Sequence, residues 1–139
     1  MELRPYNSGD EAAVVELWHR CGLTRAWNDP RRDMQRKLTT QPELFIVGKL
    51  EGAIIATVMA GYDGHRGWVN YLAVAPEHRT KGFGRLLMRH VEEALTARGC
   101  PKLNLQVRSG NREALEFYRR IGYSQDETVS LGKRLIPDN

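Results

Sequence analysis

Arg79-Thr80-Lys81-Gly82-Phe83-Gly84 is the stretch of this chain whose residue types and spacing speak most directly of chemistry. Two glycines stand among the cations Arg79, Lys81 and Arg85. Upstream, Trp68 to Ala75 is an apolar run with strand composition; downstream, Arg85 to Arg98 carries the spacing of an amphipathic helix. A strand that turns through glycine into a helix gathers unpaired backbone N–H groups and the positive end of a helix dipole at one point. That arrangement binds phosphate. Glycine lets the backbone approach a ligand closely, and the flanking cations add charged hydrogen bonds. A solvated basic turn before a surface helix is the plainer reading. The flanking strand and helix favour a site for a polyanion, above all a diphosphate.

The elements that must position this turn are legible from periodicity and punctuation. Leu3 to Tyr6 reads as a first strand, and Ser8 or Asp10 as the cap of a helix with Val14, Leu17, Trp18 and Cys21 on one face. Gly22 ends that helix, and Asp29-Pro30 starts a second one reaching about Thr39, with Met34 and Leu38 inward. Leu44–Leu50 and Ala53–Tyr62 form a hairpin through Glu51-Gly52, and Asp63–Gly67 turns into the strand that begins at Trp68. The long helix presents Leu87, Val91 and Leu95 inward and stops at Gly99-Cys100-Pro101. Leu103–Val107 is a fifth strand and Asn111–Arg120 a fourth helix; Tyr123–Gln125 and Thr128–Leu135 are expected to close an antiparallel pair. The expected fold is α/β, one mixed and mostly antiparallel sheet of about seven strands flanked by four helices. Residues 1–139 are expected to make one domain, with no repeat or linker.

The order of elements, with Arg79-x-x-Gly82-x-Gly84 between the fourth strand and third helix, resembles the GCN5-related N-acetyltransferases (the GNAT superfamily). Leu72 to Gly84 is similar throughout to that family's acetyl-CoA signature. Asn111-x-x-Ala114-x-x-Phe117-Tyr118-x-x-x-Gly122-Tyr123 is similar to the helix carrying its catalytic tyrosine. Two motifs in the right order are far more specific than either alone. Arg25–Pro30, Gly61–Gly67 and Ser130–Ile136 further resemble the bacterial YpeA-type acetyltransferases.

The resemblance implies acetyl-CoA as co-substrate, no metal, and an acetyl group passed to a primary amine by direct attack in a ternary complex. It implies that the pantetheine arm bonds the backbone of Leu72 and Val74. Arg79, Thr80, Lys81, Gly82, Phe83 and Gly84 would hold the diphosphate with Arg85 beside them, and Asn111 would both cap its helix and touch the cofactor. Tyr118 is the implied general acid: a phenol of pKa about 10 arrives protonated at neutral pH, and a thiolate of pKa about 8.5 still gains from a positioned donor. No carboxylate lies on the fourth or fifth strand to act as base. Trp27 and Asn28 border the acceptor groove in this reading, and Asp63 and His65 offer further polar groups for the amine. The acceptor class stays open among peptide N-termini, lysines and small amines. A non-catalytic acyl-CoA sensor is the alternative, one that needs no working Tyr118.

Bulk properties narrow the field. Hydrophobic residues make up 41% and charged residues 27% of the 139, ordinary values for a globular domain. The net charge of +4 is spread among carboxylates, without the Lys/Arg block or basic-aromatic motif of a nucleic-acid binder. A dinucleotide-binding turn would need a third glycine where Leu87 stands. Cys21 and Cys100 are isolated from each other and suggest neither zinc nor a disulfide framework. No nucleic-acid or membrane partner is expected, a homodimer is left open, and the expected location is the cytoplasm.

Overall fold

The computed structural model describes residues 1–138. The chain runs β1 (Glu2–Pro5), α1 (Glu11–Arg20), α2 (Pro30–Lys37), β2 (Phe45–Leu50), β3 (Ala53–Tyr62), β4 (Gly67–Val74), α3 (Phe83–Ala97), β5 (Leu103–Leu105) and α4 (Arg112–Arg120). The five strands lie in sequence order in one sheet. Pairs from β1 through β4 are antiparallel, and β5 joins β4 in parallel after the α3 crossover.

Residues 45–48 of β2 and 55–60 of β3 are buried without alternation, because helices or loops cover both faces of the central sheet. Val14, Leu17 and Trp18 of α1, Met34 of α2, and Leu87, Met88, Val91 and Leu95 of α3 fill the space against Phe45, Val47 and Val58. Each such side chain is worth about 1.5–3 kcal/mol when fully buried.

One irregularity shapes the sheet at β4. Thr57 faces Ala73 and Met59 faces Asn70, so two steps along β3 correspond to three along β4. The surplus residue makes a β-bulge, and Tyr71 within it has φ 53°, rare for a residue with a side chain. The bulge is held from inside: the Trp18 indole donates to Thr57 Oγ1 at 2.8 Å, and Thr57 Oγ1 donates to the Tyr71 carbonyl at 2.9 Å. Trp18 also stacks on the Tyr71 ring, centroids 3.7 Å apart. Only Gly67–Val69 of β4 pair with β5. Beyond them the two strands part.

Several expectations need correction. The sheet has five strands among the described residues, not about seven. Tyr123–Gln125 and Thr128–Leu135 pair with nothing; they run past β5, touching it through Lys102–Asp126 at 3.0 Å and Gln106–Ser130. Their end is tied by side chains to α2, described below, rather than by a backbone ladder, and Val129, Leu131 and Leu135 stay exposed despite their strand-like alternation. β5 ends at Leu105 instead of Val107, since β4 has already turned away. α2 ends at Lys37, which leaves the expected inward Leu38 exposed. Asp10, not Ser8, stands at the N-cap position of α1, but its side chain makes no capping bond there; Asn7 and Asp10 instead form a reciprocal capping box around a single 3₁₀ turn, and Arg4 clamps the Asp10 carboxylate at 2.7 and 2.8 Å.

Candidate active site

A cleft of about 840 Å³ opens where β4 and β5 part. Val69–Leu72 form one wall and Leu105–Arg108 the other; the α1–α2 loop and α2 close one side, and Asn111, Ala114 and Tyr118 of the α4 region another. A bulge and a short strand thus turn a continuous sheet into a slot with unpaired backbone edges, which an extended ligand can complete as an added strand.

Next to the slot lies the β4–α3 turn. Thr80 and Gly82 both adopt left-handed backbone, with φ 64° and 84°. Gly82 is the N-cap of the fifteen-residue α3, and no side chain caps that helix. Its first N–H groups are therefore free for an anion, with the helix dipole behind them. Lys81 and Arg85 are exposed at this end, and Arg79 is drawn back to the sheet by its Nε donating to the Val74 carbonyl at 3.2 Å. Phe83 opens the helix and packs on the core. Gly84 has ordinary helical backbone. A Cβ there would come within 3.1 Å of the Phe117 ring, so its missing side chain admits α4. None of residues 79–85 lines the cleft, so the turn and the slot are adjacent but separate charge groups.

Tyr118 lies in the cleft wall with its ring edge-on to Phe117 and Tyr123, 5.0 and 5.7 Å between centroids. Every buried side-chain N or O among the described residues has a partner, and the Tyr118 hydroxyl makes no hydrogen bond within the protein. The hydroxyl therefore opens onto the cleft. Burial pushes its pKa up to about 12, which keeps the proton in place at neutral pH. The neighbouring tyrosines differ: Tyr123 donates to Glu92 at 2.5 Å and Tyr71 to Asp33 at 2.6 Å, so both protons are committed to carboxylates.

The other expected residues divide. Leu72, Asn111, Trp27 and Asn28 line the cleft with Tyr118, and Asn111 also caps α4 by accepting from the Ala114 N–H at 3.1 Å. Val74 does not; its carbonyl accepts from Arg79 and from the Cys21 thiol at 3.4 Å. That bond also engages Cys21, the cleft's one thiol. Asp63 and His65 stay in the β3–β4 turn outside the cleft lining. Asp63 Oδ1 accepts from the N–H groups of Arg66 and His65 at 2.7 and 2.8 Å, and these bonds hold its carboxyl below the usual range. Asp63 thus does turn chemistry.

The sequence reading passed over Asp33. It is the only carboxylate lining the cleft among the described residues, and its Oδ2 accepts from the Tyr71 hydroxyl and from Asn28 Nδ2 at 2.5 Å. Its signal is faint: Asp33, Lys37 and Thr40 form a polar stripe beside inward Met34, and all three line the cleft. Arg36, also on α2, donates to Asp138 at 2.7 and 3.1 Å. The pairing with Arg36 brings the Asp138 carboxyl down to about 2.

The chain resembles known acetyltransferases over nearly its whole length. Residues 12–123 match the model of the acetyltransferase (GNAT) family. A curated acetyltransferase of Yersinia enterocolitica is 48% identical over 138 residues, covering 99% of this chain and 98% of its own. Among solved structures, the aminoglycoside antibiotic 6'-N-acetyltransferase of Acinetobacter haemolyticus superposes with TM-score 0.78 at 18% identity over 98% of this chain and 99% of its own. Chaetomium thermophilum Naa20, solved with a bisubstrate analogue, superposes with TM-score 0.74 at 26% identity over 89% of this chain and 71% of its own. With its fold, its paired motifs and a full-length relative in agreement, the chain belongs to the acetyltransferase (GNAT) family.

Proposed function

We propose that this acetyltransferase moves the acetyl group of acetyl-CoA to a primary amine by direct attack, with Tyr118 as general acid. The observation that carries this reading is the Tyr118 hydroxyl, open to the cleft between β4 and β5, protonated at neutral pH and without a hydrogen-bond partner among the described residues. The residues present suit acetyl-CoA: an uncapped helix start with left-handed Thr80 and Gly82 and with Lys81 and Arg85 beside it fits a diphosphate. The open edge of β4 at Leu72 fits the amide groups of a pantetheine arm. Acetyl-CoA supplies an acyl carbon activated as a thioester.

The chain's part is to hold and orient the two reactants and to manage protons. Backbone N–H groups near Leu72 polarise the carbonyl to be attacked. Tyr118 holds a proton at its phenol oxygen for the sulfur that leaves. Because that thiolate gains charge only as the carbon–sulfur bond breaks, the hydrogen bond strengthens in the transition state and acts on turnover. Cys21, the one thiol lining the cleft among the described residues, donates to the Val74 carbonyl, which favours direct attack over a covalent acetyl-enzyme.

The test is release of free thiol from acetyl-CoA in the presence and absence of amines, in wild type and Tyr118→Phe. Phenylalanine keeps the ring contacts and deletes only the donor. Wild type should release thiol in an amine-dependent way. The variant should lose about a hundred- to ten-thousandfold in turnover with CoA affinity unchanged. Full turnover in Tyr118→Phe, with chemistry rate-limiting, rejects Tyr118 as the acid.

A further inference from the structure

Resting on the reading that the acceptor is an amine in this cleft, we infer that the acceptor carries a carboxylate close to its amine, and that Asp33 receives the amine end while Arg25 and Arg108 receive the carboxylate. The inference comes from the unequal charges around the slot. Its lining contains four basic side chains, Arg25, Arg36, Lys37 and Arg108, and one acidic side chain, Asp33. Arg36 is engaged by Asp138 and Asp33. Arg25, Lys37 and Arg108 take part in no ion pair among the described residues.

These groups are brought together by one short loop. Asn28 bonds Asp33 through its side chain and forms a bridge with Arg25 through its backbone. Between them Trp27 is 53% exposed, and the Arg108 guanidinium lies over its ring, 5.8 Å from the centroid. Arg25 spends one guanidinium nitrogen on the Gly22 and Thr24 carbonyls, at 2.7 and 2.9 Å, which fixes the side chain and leaves its other nitrogens free. The half-buried Asp33 carboxylate is held by Tyr71 and Asn28, so its position is preset. The diphosphate-binding cations belong to the separate β4–α3 turn, which does not line this slot. A wall with one anchored anion beside two unpaired guanidiniums complements an acceptor with one positive and one negative group. It repels a polycation.

Such a pair of groups is found both in free amino acids and at peptide N-termini whose first residue is acidic. Five probes separate these sources in the thiol-release assay: leucine against leucinamide, a tripeptide amide beginning with aspartate against its asparagine counterpart, and the polycation kanamycin. In at least one pair the carboxylate-bearing probe should be favoured about ten- to hundredfold in kcat/KM, the effect of one charged hydrogen-bonding pair. Preference within the leucine pair identifies free amino acids; preference within the peptide pair identifies acidic N-termini. Arg108→Gln and Arg25→Gln should each shrink that preference toward unity without changing CoA affinity, and Asp33→Asn should raise KM for the favoured probe about tenfold or more. Equal use of charged and neutral partners, or kanamycin as the best probe, overturns the inference and leaves acetyl transfer to amines standing. A preference that survives both arginine substitutions overturns the assignment of Arg25 and Arg108. Thiol release with none of the five overturns the inference, and failure across a wider panel of amines overturns the reading beneath it.

Discussion

The β4–α3 turn and the cleft wall proposed to receive the acceptor lie side by side, yet they are built in opposite ways. The turn is contiguous: Arg79 to Gly84 carry cations, glycine and helix start in six consecutive residues, and two left-handed conformations curve the backbone around one point. The cleft wall is assembled from four distant pieces, namely the Arg25–Asn28 loop, Asp33 on α2, the bulge at Tyr71 and Arg108 after β5. A contiguous site depends on local geometry and tolerates distant change. An assembled one depends on the core that brings its pieces together.

The bulge is where that dependence should be greatest. Thr57→Val keeps the shape of the side chain but deletes the hydroxyl that joins the Trp18 indole to the Tyr71 carbonyl. Leaving two buried groups without partners costs about 1–3 kcal/mol each, so urea unfolding should show a loss of about 2–5 kcal/mol. Turnover should fall with it, while the β4–α3 turn, which shares none of these bonds, keeps its conformation. A loss below about 1 kcal/mol would mean that the bulge is held by backbone pairing and the Trp18–Tyr71 stack without the Thr57 hydroxyl.

A smaller effect is expected from the tie at the end of the chain. Arg36 holds the Asp138 carboxyl down to about 2, against an ordinary value of 3.8. A carboxylate depressed in the folded state contributes its stabilisation above the unfolded pKa and loses it as the pH falls toward the folded one. The tie of the C-terminal residues to α2 should therefore be intact at neutral pH and weaken between about pH 4 and pH 2. Asp138→Asn should mimic the acid state at neutral pH, with faster amide exchange around Pro137 and a higher acceptor KM. Identical exchange in wild type and variant would show that the tie does not hold the wall.

The same contrast explains what could be read in advance. The order of elements from β1 to α4 follows from apolar periodicity and from Gly22, Asp29-Pro30, Gly99 and Gly122, because these signals are local. The turn was legible for the same reason, and so was the placement of Tyr118 on α4. Asp33 was not, since nothing in its own helix says that a bulge 38 residues away will bring Tyr71 onto its carboxylate. That bulge is a matter of register between β3 and β4, which the alternation of β4 does not reveal. The last two strands were misread because Val129, Leu131 and Leu135 alternate as a strand does, while Arg36 and Asp138 draw the end of the chain across to α2. Asp63 shows the other side of the contrast: a polar loop residue can be read as a ligand group, and here its carboxylate bonds its own turn outside the cleft lining.

The central claim is that cofactor holding and chemistry reside in different places, the first in the turn and the second at Tyr118. It is tested most directly by calorimetric titration of CoA into wild type, Gly82→Val and Tyr118→Phe, each first shown to be folded by thermal melting. Gly82 has φ 84° with open space around it, so a β-branched residue there strains the turn without disturbing the core. The account predicts CoA affinity about ten- to a hundredfold weaker in Gly82→Val, the reach of about 1–3 kcal/mol of backbone strain, and unchanged affinity in Tyr118→Phe. Equal affinity in all three proteins, or a loss confined to Tyr118→Phe, would contradict it.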